Sequence, residues 1–375
     1  MTNIPLSLYI HMPWCVQKCP YCDFNSHNIK QAPAYEEYIN HLLADLRHDL
    51  ALTNNRAIHS VFIGGGTPSL FSAELINRLL TNIQTYIPFA AGAEITIEAN
   101  PNSADANHFS GYIDAGINRI SIGVQSFQPD KLIKLGRIHD PDEAIKAAQL
   151  ARKLNLRSFN LDLMHGLPDQ SQSDALSDLK QAISLSPPHL SWYQLTIEPN
   201  TLFGSKPPKL PDEELLWDIY QQGDKLLTDN GYVQYETSAY AKSGLMCQHN
   251  LNYWRFGDYI GIGCGAHGKL TQADGKIIRT VKTRHPKGYL TGRYLEKSYQ
   301  VPHDELPFEF FMNQFRLFED APKIRFIERT GLTFKHIEQP IKLAIEQGYL
   351  TEDKDNWQLT KRGKLFLNSL LELFL

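Results

Sequence analysis

Short apolar runs alternate with longer stretches of helical periodicity over the first two thirds of the chain. The runs fall at 6–11, 60–65, 94–99, 119–124, 159–164 and 190–195. Between them, 35–52, 72–86, 104–115, 141–154 and 173–186 repeat apolar residues at the three-to-four spacing of an amphipathic helix. A further helical stretch covers 210–232, with Asp212 placed as its N-cap and Gly231 as its C-cap. Strands that alternate with helices must run parallel, joined by right-handed crossovers. The pattern therefore predicts an α/β fold: a partial (β/α)6 barrel of the TIM type, with its chemistry at the C-terminal ends of the strands.

After Tyr232 the alternation gives way to glycine and aromatic residues, so the eight units of a full barrel are not expected. Three regions follow: 1–232 as the barrel, 233–305 as an irregular segment that closes it, and 306–375 as a small, mainly helical C-terminal domain. The order expected in the last is helix, helix, hairpin, helix, which is winged-helix-like; fold alone assigns it no DNA binding.

Composition narrows the class. Apolar residues are 42% and charged residues 21% of 375, values of a soluble globular chain. Thirty-seven basic and 41 acidic side chains leave a net charge of −4, which speaks against a nucleic-acid partner. No apolar stretch has membrane-spanning length, and the first residues lack the features of a secretory signal. A cytoplasmic location is expected. There, clustered cysteines bind metal or do redox chemistry more often than they form disulfides.

Three of the five cysteines lie within "HMPWCVQKCPYCDFN" (11–25), as Cys15, Cys19 and Cys22 in a C-x3-C-x2-C spacing. Three chemistries are open to them. Zinc would need a fourth ligand, with His11 and His27 nearby; disulfide exchange would use two thiols and leave Cys15 idle; a [4Fe–4S] cluster with three cysteine ligands would leave one iron free for a small molecule. Cys247 and Cys264 stand alone and read as buried thiols. Polar residues recur where the strands end: Gly65, Gly66 and Thr67 in "GGGTP", Glu98 in "IEANP", Gln125 in "GVQS", Arg137 in "LGRIH" and Asp162 in "NLDLMHGLP". Singly, each is a tight turn or a strand-end side chain. Together, on successive barrel units, they argue for one pocket, and an Asp within an apolar strand needs a partner to offset its burial.

The C-x3-C-x2-C spacing, with Tyr21 before the last cysteine, resembles the signature of radical S-adenosylmethionine (SAM) enzymes. The resemblance implies a [4Fe–4S] cluster on Cys15, Cys19 and Cys22, SAM bound to the open iron, and reductive cleavage of SAM to a 5′-deoxyadenosyl radical. It makes Gly65, Gly66, Thr67, Glu98, Gln125, Arg137 and Asp162 candidate SAM contacts, with Tyr9 and Tyr21 beside the cluster.

Within that family, "YIHMPWC", "CPYCDF", "GGGTPS", "GVQSF", "LGRIH" and "NLDLMHGLPDQ" are similar to the group around oxygen-independent coproporphyrinogen III oxidase, over nearly the whole chain. Two features depart from the oxidase: Phe24 stands where it has a further cysteine, and only 14 residues precede Cys15. Both match the HemW branch of heme chaperones. That resemblance implies heme as cargo, recipient hemoproteins such as membrane-associated respiratory enzymes, an electron donor, peripheral contact with a membrane, and no coproporphyrinogen oxidation; a homodimer is compatible with it. The branch's H-N-x-x-Y-W motif is His249, Asn250, Tyr253 and Trp254. They form the candidate heme region, with His249 expected in a loop at the barrel mouth and His11, Cys247, Cys264 and His267 as rival ligands. The plain alternative is an aromatic plug that closes the barrel. A coproporphyrinogen oxidase and a cluster-based redox sensor remain the competing functions.

Overall fold

The computed structural model describes residues 4–102, 106 and 108–375. Six strands stand at the six apolar runs: β1 (Leu6–Met12), β2 (Ile58–Gly65), β3 (Phe89–Ala99), β4 (Arg119–Gln125), β5 (Ser158–His165) and β6 (His189–Gln194). Each pairs parallel with the next. Alternation along β1 shows how the barrel is built. Leu6, Leu8, Ile10 and Met12 enter the core shared with the outer helices, while Ser7, Tyr9 and His11 lie on the other face, where the Ser7 hydroxyl meets that of Ser60 at 2.7 Å.

The outer helices include α1 (Tyr35–Asp49), α2 (Ala73–Tyr86), α3 (Phe109–Asp114), α4 (Pro141–Lys153), α5 (Gln172–Ser184) and α6 (Glu213–Asp229). Asp140 with Glu143, and Ser171 with Asp174, form capping boxes at α4 and α5, and Asp212 caps α6 as expected. Gly231, at φ +74°, follows the end of α6. Of the helix expected over 104–115, Ala104, Asp105 and Asn107 lie outside the described residues.

The expectation of an irregular segment at 233–305 is corrected. β7 (Val233–Glu236) and β8 (Ala239–Ala241) extend the sheet beyond β6, whereas β9 (Asp258–Ile262) adds a seventh parallel strand beside β1. β10 (His267–Thr271), β11 (Ile277–Lys282) and β12 (Leu295–Gln300) continue antiparallel, so one sheet runs β12-β11-β10-β9-β1-β2-β3-β4-β5-β6-β8-β7. In β9 and β10 glycines hid the pattern, because they take the place of apolar residues where strands crowd. A Cβ on Gly261 would lie 2.0 Å from the His267 carbonyl oxygen.

Buried charge fastens the added strands to the barrel. Lys282 Nζ lies 2.5 Å from Asp45 and 2.7 Å from Asp49 of α1, and Asp258 is paired with Lys269 and Arg56. Toward the C-terminus, helices Leu306–Gln314, Lys323–Thr330 and Glu338–Glu346 precede a hairpin of Leu350–Glu352 with Asn356–Leu359. Phe310, Phe311, Phe326, Trp357 and Phe374 form a second core there, into which Phe256 and Ile277 also pack.

Candidate cluster and cofactor site

The cysteine loop leaves the C-terminal end of β1 and is tied at its neck, where Trp14–Cys15 pairs with His27–Asn28. Asn25 fastens its far side: its Nδ2 donates to the carbonyls of Cys264 at 2.9 Å and Arg284 at 2.8 Å. Cys15, Cys19 and Cys22 line one cavity of about 340 Å³ at the barrel mouth, and Tyr21 lines it with them. Burial pushes the Cys15 and Cys22 thiols up, so metal binding there must release protons.

Three thiols line the cavity, and His11 is not free to join them as a fourth ligand. One tetrahedral zinc, at about 2.3 Å from each sulfur, would draw its ligands to a point; no three His, Cys, Asp or Glu among the described residues are grouped in that way. His11 has no nitrogen to spare, as Nδ1 meets the Tyr9 hydroxyl at 2.9 Å and Nε2 the Asn25 carbonyl at 2.8 Å. Burial lowers it to about 4, which keeps it neutral.

The other walls of the cavity come from the ends of β2 to β6. Gly65, Gly66, Thr67, Glu98, Gln125, Arg137 and Asp162 all line it. The glycines also allow a close approach to the cysteine strand. A Cβ on Gly66 would lie 2.6 Å from the Trp14 oxygen, and one on Gly65 would strike the His11 ring. The turn instead donates Gly66 N–H to Met12 and Thr67 N–H to Trp14.

Glu98 accepts from Gly65 N–H at 3.0 Å, and burial, with Asp162 nearby, pushes its carboxyl up to about 8. Arg137 donates to Asn100 at 2.8 Å, to the Gly123 carbonyl at 2.7 Å and toward the Cys19 sulfur at 3.6 Å; its buried Nε has no partner. Asp162 is held by Asn160 at 2.7 Å and Ser121 at 3.1 Å. Burial raises its carboxyl, and those hydrogen bonds oppose the rise. Gln125, at φ +66°, accepts from the Tyr193 hydroxyl at 2.9 Å. A carboxyl pair, a guanidinium and several hydroxyls beside three thiols can hold a small zwitterion next to a metal centre.

Tyr9 stacks near Phe62 and opens on an adjoining cavity of about 390 Å³ with Phe24, Tyr253, Tyr259 and His267, which shares Phe24, Gly65 and Glu98 with the first. Asn100, Ser121, Ser191, Tyr193, Glu236 and Ser238 line the first cavity without having been singled out. The strand-end rule that selected Glu98 and Gln125 reaches Asn100 and Tyr193 equally; nothing marked Glu236 or Ser238, which sit at the short β7–β8 hairpin.

The H-N-x-x-Y-W motif does not form the expected loop at the mouth. It is a helix, α7 (Gln248–Trp254), plugged into the barrel from the opposite end. Glu94, midway along β3 and opposite Ser60 early in β2, accepts from the backbone N–H groups of Gln248 and His249 and so satisfies the helix terminus. His249 is 1% exposed; its Nδ1 meets the Ser60 hydroxyl at 3.0 Å, its ring packs on Phe62, and its Nε2 is sealed without a partner. Asn250 lies on the same helix, and Trp254 donates to Glu236 beneath the Arg316 guanidinium. Tyr253 lines an open cavity. The aromatic plug is what the sequence builds, because a helix this polar and aromatic fills the open end of a six-unit barrel.

Residues 9–182 match the Radical SAM superfamily and residues 301–366 the HemN C-terminal domain; the first implies a [4Fe–4S] cluster and SAM. Heme chaperone HemW of Escherichia coli (strain K12) is 64% identical over 371 residues, which cover 99% of this chain and 98% of that protein. Heme chaperone HemW of Bacillus subtilis (strain 168) is 33% identical over 379 residues, at 98% and 99% coverage. The solved structure of coproporphyrinogen III oxidase (HemN) from Escherichia coli superposes with a TM-score of 0.84 at 23% identity, over 100% of this chain and 91% of that one. It shares the fold.

Proposed function

The chain belongs to the HemW family of radical SAM heme chaperones, and we propose that it binds heme beside a SAM-liganded [4Fe–4S] cluster and passes it to recipient hemoproteins. What carries this reading is full-length similarity to heme chaperones combined with a cavity that keeps three thiols and the polar strand ends together. Cys15, Cys19 and Cys22 hold the cluster. Glu98 takes the ammonium of SAM, Arg137 its carboxylate or the charge near Cys19, and Asp162 and Gln125 its ribose hydroxyls; Thr67 and Tyr21 wall the site and limit water. When bound, the reduced cluster supplies one electron to the sulfonium of SAM.

Phe24 favours a chaperone over an oxidase. It is 59% exposed and lines both cavities beside the cysteine loop, so the position that bears a cysteine in the oxidase carries an apolar ring here. The partners are heme, recipients such as membrane-bound respiratory enzymes, and an electron donor for the cluster. Among the described residues no helix is long and apolar enough to cross a membrane, and we place the protein in the cytoplasm, touching the membrane only through a recipient. The test is heme transfer: reconstituted protein loaded with heme should restore activity to an apo-hemoprotein, and coproporphyrinogen III given with SAM and reductant should remain unconverted. Steady oxidation of coproporphyrinogen would replace this reading with the oxidase.

A further inference from the structure

A third cavity, of about 420 Å³, opens on the outer side of β6, bounded by that strand, the N-terminal half of α6 and the β7–β8 hairpin. It shares Tyr193 and Ser238 with the cysteine cavity, so the two spaces adjoin. Its wall is aromatic. Trp192 and Tyr220 lie nearly parallel, 6.4 Å between centroids and 6° between planes, and Trp217 continues the stack 5.8 Å from Tyr220. Trp217 is 41% exposed and forms the open edge of the groove. Gly223 permits the arrangement, because a Cβ there would lie 2.0 Å from the Trp192 ring.

His165, at the end of β5, completes this wall. Its ring lies 4.3 Å from that of Trp192, and the residue is 4% exposed. Its Nδ1 is buried without a hydrogen-bond partner, and the Oγ1 of Thr237, across the same cavity, is buried without one too. An imidazole nitrogen and a hydroxyl without protein partners leave this wall uncommitted. Burial lowers His165 to about 4, so the ring is a neutral imidazole, the form that ligates iron. Three other imidazoles of the barrel are out of reach of this groove: His11 and His189 bond through both nitrogens, and His249 is sealed under the plug.

We propose that this groove is a heme-docking face, with His165 as the axial ligand and Trp217, the exposed end of the Trp192–Tyr220–Trp217 stack, against the macrocycle. The proposal rests on the heme-chaperone reading and assigns it a location. A groove open on one side leaves part of the macrocycle in solvent, and the single acidic residue on its rim, Glu213, disfavours tight seating of the propionates there. An axial His whose Nδ1 lacks a hydrogen-bond acceptor is a weaker ligand than one held by a second group. Both features suit a cargo that must leave.

The test titrates ferric heme into the full-length protein and follows the Soret band, with cluster iron content and SAM affinity as checks on integrity. His165→Ala should weaken heme binding on the order of tenfold and shift the band, and added imidazole should restore the band position. Trp217→Ala, at the exposed end of the stack, should weaken binding without moving the band. If the parent binds heme and both variants match it in affinity and spectrum, or if His267→Ala alone abolishes the ligand signature, the groove is not the site. If the parent binds no heme, the chaperone reading itself fails.

Discussion

Glu98→Gln separates the cost of the binding site from its use. Burial and the neighbouring Asp162 carry the Glu98 carboxyl from its ordinary 4.5 up to about 8. The folded, ligand-free chain therefore keeps a proton that the unfolded chain gives up. A raised carboxyl removes stability as pH rises from 4.5 toward 8, and the loss levels off above that. At about 1.36 kcal/mol per pH unit, the interval from 4.5 to 7 makes Glu98 cost about 3 kcal/mol at pH 7, and about 2 kcal/mol at pH 6. The amide introduced by Glu98→Gln would still accept from Gly65 N–H but has no proton to lose. The variant should thus exceed the parent in stability by these amounts, with the gap widening as pH rises. Urea unfolding of the metal-free, reduced chain at pH 6, 7 and 8, followed by circular dichroism, reads the gap at unchanged slope. The same change should weaken SAM binding by roughly 1.5–3 kcal/mol, one to two decades, through loss of a charged hydrogen bond. A variant less stable than the parent at pH 7 and 8, or a gap that does not vary with pH, would refute the argument, since it would mean the carboxylate is already ionised and paired.

Other outcomes follow from the same geometry. Cys15→Ala, Cys19→Ala and Cys22→Ala should each abolish assembly of about four irons per chain, whereas Cys247→Ala and Cys264→Ala, at buried thiols far from the loop in sequence, should leave iron content intact. Arg137→Ala and Asp162→Asn should each lower SAM affinity by about one to two decades in calorimetry, with the cluster retained. Lys282→Met should destabilise the chain by about 3–5 kcal/mol in urea, because it leaves Asp45 and Asp49 buried without their cation. Phe24→Cys should create no coproporphyrinogen oxidation in an anaerobic product assay.

The strands that carry the site were readable because each is an apolar run bounded by turn residues, and the polar groups at their ends stand out against that background. Glu98, Arg137 and Asp162 were found this way and share one cavity. The added strands β9 and β10 were not readable, since Gly261 and Gly268 within them, and Gly263 and Gly265 between them, erase the alternation. The direction of the glycine turn also escaped the sequence: a run of three glycines announces a close approach but not to what. His249 misled for a related reason. A short polar and aromatic stretch looks like a loop that meets a ligand, yet inside a barrel lined by Ser60, Glu94 and Arg119 it is the complementary plug. His165 lay within a quoted motif and drew no attention, because only the structure shows that its imidazole is left without a hydrogen bond beside Trp192.

The central claim is that this chain carries heme and does not consume a porphyrinogen. The direct measurement mixes anaerobically reconstituted, SAM-bound, heme-loaded protein with an apo-hemoprotein and follows holoprotein formation against a free-heme control with a heme scavenger present. The account predicts transfer that the scavenger does not intercept and that the Cys19→Ala protein, without a cluster, performs poorly. Transfer that tracks free heme alone, together with release of carbon dioxide from coproporphyrinogen III, would contradict it.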